Sequence, residues 1–124
     1  MLARLAAELL VVGRQWLAVG VQIYWFTGDR RFTPDEALHV WGFDDRTLAR
    51  LDPAVQRYHQ RTGFRISDQY DLDLPAGTLE PLASVLREVV VEESDLKVRA
   101  DLQKLLSIVT DAQKRNVGLM FRYC

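Results

Sequence analysis

The chain has 124 residues, 48% hydrophobic and 27% charged, with a formal net charge of −1. That composition suits one folded domain spanning residues 1–124 and leaves no room for a second. Neutral balance argues against nucleic acid as a partner, and the single cysteine, Cys124, excludes an internal disulfide and favours a cytoplasmic setting.

In chain order, Leu2, Leu5, Leu9, Val12 and Trp16 recur at steps of three and four and predict a first helix. The apolar stretch Leu9 to Phe26 is interrupted by Arg14, and its uncharged run from Gln15 to Gly28 is 14 residues, short of the ~20 that span a bilayer. No membrane association is expected. From Val19 to Trp25 the period changes to two, predicting a strand.

Thr33-Pro34-Asp35-Glu36 reads as a capping box opening a short helix that Gly42 ends. Asp44 or Asp45 caps the next helix, with a stripe of Leu48, Leu51, Val55 and Tyr58, a restart or kink at Asp52-Pro53 and a stop at Gly63. Phe64, Ile66, Tyr70, Leu72 and Leu74 then alternate with polar residues, which predicts a strand with one wet face. After the turn Pro75-Ala76-Gly77, Thr78 is expected to cap a helix bearing Leu79, Leu82, Leu86 and Val89. Ser94 is expected to cap a longer one bearing Val98, Leu102, Leu105, Val109 and Ala112. Val117, Leu119, Phe121 and Tyr123 predict a terminal strand.

The expected class is α+β, in the order α-β-α-α-β-α-α-β: a small, mainly antiparallel three-stranded sheet covered by about five helices. Pairing of the last strand, as an edge, across a two-fold axis would make a homo-oligomer.

No catalytic or cofactor motif stands out. His39 and His59 lack a second ligand at helical spacing, so no metal site is expected. No Gly-rich phosphate loop, Gly-x-Ser-x-Gly or Cys-x-x-Cys occurs. Arg46, Arg50, Arg57 and Arg61 would form a basic arc if one helix carried them all, but Asp44, Asp45 and Asp52 stand beside them.

Charge is unevenly spread. Asp68 to Asp95 carries a net −7, whereas Met1 to Arg65 carries +2 and Leu96 to Cys124 carries +4. An acidic surface steers association with a basic partner. The expectation is therefore a non-catalytic protein-binding module without a cofactor, most concretely a bacterial inhibitor or immunity protein that neutralises a toxin or enzyme. Asp68, Tyr70, Asp71, Asp73, Glu92, Glu93 and Asp95 are its candidate contacts. The alternative is a small enzyme or ligand-binding domain with a pocket between helices and sheet, using His39 or His59 and a carboxylate. The 13 Arg against 3 Lys suggest a bacterial source.

Overall fold

The computed structural model describes residues 20–27, 38–67 and 69–123. The expected helix at Leu2 to Trp16, the capping box, Asp68 and Cys124 lie outside them. Among the described residues four strands, not the expected three, form one antiparallel sheet: β1 (Gly20–Phe26), β2 (Leu38–Asp44), β3 (Leu72–Leu74) and β4 (Gly118–Tyr123), in the spatial order β2-β1-β4-β3. The helices are α1 (Asp45–Arg50), α2 (Asp52–Thr62), α3 (Glu80–Glu92) and α4 (Leu96–Arg115).

Strand alternation decides where the core sits. Val21 and Ile23 of β1, Phe121 and Leu119 of β4, Leu74 of β3 and Phe43 of β2 share one face by register. The helices pack there, contributing Leu51, Val55 and Tyr58, then Leu82, Leu86 and Val89, then Leu102, Leu105 and Val109, all buried. These are the stripes read from the sequence. The other sheet face carries Gln22, Tyr24, Phe26, Met120, Arg122 and Asp73.

The expected short helix ending at Gly42 is overturned over its described part, because Leu38–Asp44 is strand β2, paired with β1 from Gly20↔Asp44 to Trp25↔Leu38. Val40, Trp41 and Phe43 fit a pleated surface, and pairing with a neighbouring strand holds these residues extended. Gly42 is not left-handed; among the described glycines only Gly63 and Gly77 have positive φ. Its missing Cβ instead leaves room for the Gln22 side chain.

The expected strand at Phe64 to Leu74 shortens to Leu72–Leu74. Upstream, the Thr62 hydroxyl accepts from the Phe64 N–H, and the Ser67 hydroxyl accepts from the Gln69 and Tyr70 N–H groups, so side chains take donors a ladder would need. Tyr70, expected on the core side by alternation, is 68% exposed.

Helix ends divide likewise. Asp44 caps α1 by accepting from the Thr47 N–H at 3.0 Å, and Gly63, at φ 81°, closes α2. Thr78 and Ser94 do not cap. The Thr78 hydroxyl donates to the Pro75 carbonyl, and α4 is capped by Asp95, whose carboxylate accepts from the Lys97 and Val98 N–H groups. Of the restart or kink expected at Asp52-Pro53 the chain takes the restart, at the boundary between α1 and α2. Lastly, β4 lies between β1 and β3, so the expected edge pairing through Val117 to Tyr123 is closed off.

Candidate functional site

The acidic segment does not form one bare patch. Asp73 lies on the sheet face away from the helices, opposite Met120, and its carboxylate accepts from Arg122 Nη1 at 2.5 Å. Asp71 stands 3.6 Å from Arg122 Nε. A single guanidinium from the central strand thus serves both.

The helical acids are engaged across α2 and α3, which run antiparallel. Arg57 holds Glu92 bidentately at 2.8 and 3.0 Å and reaches Glu88 at 3.3 Å. Arg61 holds Glu88 bidentately at 2.7 and 2.8 Å. Glu80 accepts from Gln113 and pairs with Arg87. The basic arc that one continuous helix would make of Arg46, Arg50, Arg57 and Arg61 does not form, because the helix breaks at Leu51 and Arg50 is itself paired with Asp101.

These contacts shift titration. The Arg61 hydrogen bond holds Glu88 below the usual carboxylate range, Arg57 does so for Glu92, and Gln113 followed by Arg87 does so for Glu80. Each binds its proton more weakly folded than unfolded, so its contribution is complete above the unfolded pKa and is lost as pH falls through the folded one. The melting temperature should therefore drop between about pH 5 and 3. In Arg57→Ala/Arg61→Ala that drop should be shallower, which thermal melts at stepped pH would measure.

Of the candidate contacts, Glu92, Glu93 and Asp95 come together at the corner between α3 and α4. Asp71 and Asp73 lie on the opposite side of the sheet, and Tyr70 is exposed ahead of β3. Among the described residues, Glu93 and Asp95 are the acidic-segment carboxylates without a cationic partner. Glu93 accepts from the Asp95 N–H, and Asp95 caps α4. Arg99 turns its guanidinium onto the Glu93 carbonyl, fixing the corner's backbone.

The sequence reading missed what flanks these acids: Val91 is 81% and Leu96 77% exposed. The signal was available, since Val89, Val90 and Val91 cannot all face the core of one helix and Leu96 falls off the stripe of Leu102 and Leu105. Apolar side chains beside a charged rim are how a protein-contact surface is built.

The histidines stand elsewhere. His39 bonds the Gln22 amide oxygen at 2.7 Å and meets the Tyr24 ring edge-on at 5.2 Å, with burial pushing its pKa down. It borders an open groove of about 540 Å³ that Trp41, Phe43, Asp44 and Asp101 also line. The buried His59 Nδ1 finds no hydrogen-bond partner among the described residues. Among those residues no group of three His, Cys, Asp or Glu side chains is gathered as metal ligands would be, and no helix is long and apolar enough to cross a membrane.

No protein-family model, curated protein or solved structure matches the chain.

Proposed function

We propose that this chain is a non-catalytic protein-binding module, most concretely an inhibitor or immunity protein acting in a bacterial cytoplasm to neutralise a toxin or other enzyme. Its contact surface is the α3–α4 corner. The observation that carries this reading is the pair of exposed apolar residues, Val91 and Leu96, set around Glu92, Glu93 and Asp95.

Burying both side chains against a partner would supply on the order of 3–5 kcal/mol before association costs. The Glu93 and Asp95 carboxylates, without a cationic partner among the described residues, offer the charge that a basic partner surface meets. Asp71 and Asp73 drop to a supporting role, since Arg122 already engages them.

Photo-crosslinking tests this. A benzophenone side chain is placed at position 91 or 96, and as control at Lys114, near the far end of α4 and about 27 Å from Leu96. The expected result is one protein crosslinked at 91 and 96 but not at 114, whose activity, once it is purified, is lost when the full chain is added. Equal labelling at all three positions, or a captured enzyme that the chain leaves active, overturns the reading.

A further inference from the structure

Strand β2 stands at the edge of the sheet. Among the described residues it pairs on one side only, with β1, so the outward N–H and C=O groups along its length have no strand neighbour. Its side chains are open as well: Leu38 is 60% exposed, and His39, Gly42 and Asp44 are exposed.

Edge strands are commonly blunted by lysine, proline, inward charge or a bulge; Leu38–Asp44 contains no lysine and no proline and carries one bulge. Its one carboxylate, Asp44, is taken up as the cap of α1. A bulge at Val40, where the register jumps from Ile23↔Trp41 to Tyr24↔His39, leaves Trp41–Asp44 as the uninterrupted run. The groove described above follows that run, with Trp41 and Phe43 on the helix side and His39 and Gln22 on the other.

We propose that β2 receives an extended segment of the partner protein as a fifth strand. The proposal rests on the protein-binding reading and deepens it. Backbone pairing supplies the attachment, and the side chains set the occupant's chemistry. An apolar residue packs beside half-buried Trp41. An acidic neighbour meets Lys104, whose ammonium lies 5.7 Å from the Trp41 ring centroid and has no carboxylate partner among the described residues. The same lysine disfavours a second copy of this chain, because two-fold pairing about Trp41 would bring two Lys104 side chains together.

The probe is a synthetic peptide, the tightest binder from a random twelve-residue displayed library panned on the full chain. Each of its amides is N-methylated in turn, which leaves the protein untouched. Strand addition predicts about ten-fold weaker binding at every second position, with the positions between changing less than about two-fold. It also predicts peptide-induced amide shifts centred on residues 38–44 and several-fold weaker binding to Lys104→Glu. Absence of alternation, shifts centred elsewhere, or a dimer in sedimentation that Lys104→Glu strengthens would each overturn it. Crosslinking at positions 91 and 96 reads a different surface, so a failure of the corner and a failure of strand addition are told apart.

Discussion

Replacing Gly20 by alanine is expected to destabilise the fold by about 3 kcal/mol, because the added methyl group would collide with the Phe43 backbone carbonyl across the β1–β2 ladder. The obstruction is main chain, so no side-chain rotation relieves it; one of the two strands has to move. Gly20↔Asp44 begins the ladder, and Asp44 caps α1, so the disturbance reaches the start of the helical layer. Urea unfolding of Gly20→Ala should show a lower midpoint with the slope retained. Full stability in that variant would mean that β1 and β2 do not approach as closely as described.

Arg122→Ala should cost about 2–3 kcal/mol, since it leaves Asp73, whose side chain is 23% exposed, as a partly buried carboxylate without its cation. Arg122 is itself 18% exposed, and its guanidinium also donates to the Phe121 carbonyl and lies 3.5 Å from Met120 Sδ. Removing both partners in Arg122→Ala/Asp73→Ala should therefore recover part of the loss. A double-mutant cycle by urea unfolding measures the coupling. Strict additivity would show that the pair is solvated and unimportant to the fold.

Much of the fold was legible because the helix stripes were strong. Leu79, Leu82, Leu86 and Val89, and Leu102, Leu105, Val109 and Ala112, meet the core where spacing placed them. So did β1 and β4, whose alternation is uninterrupted. The reading failed where local chemistry and long-range pairing disagree. His39, Val40, Trp41 and Phe43 follow a helix-start signal, but β1 supplies a ladder that only the folded chain contains. Phe64 to Tyr70 alternate like a strand, yet the Thr62 and Ser67 hydroxyls claim its backbone donors.

The candidate site was legible only in part. Net charge located an acidic segment, but charge along a sequence says nothing of which arginines fold beside it. Arg57 and Arg61 reach Glu88 and Glu92 from 27 to 35 residues away, and Arg122 reaches Asp73 from 49. What survives their neutralisation is the α3–α4 corner, where among the described residues the Glu93 and Asp95 carboxylates have no cationic partner and Val91 and Leu96 stand in solvent.

Association kinetics with the protein crosslinked at that corner, followed across ionic strength, put the matter to the sharpest test. Charge acts on encounter, and apolar burial acts on residence. Glu93→Lys should slow association several-fold at low salt and flatten its salt dependence, while Val91→Ser/Leu96→Ser should leave the on-rate nearly unchanged and speed dissociation at least ten-fold. An on-rate and salt dependence unaltered by Glu93→Lys, with dissociation indifferent to the loss of Val91 and Leu96, would contradict a contact surface at the corner.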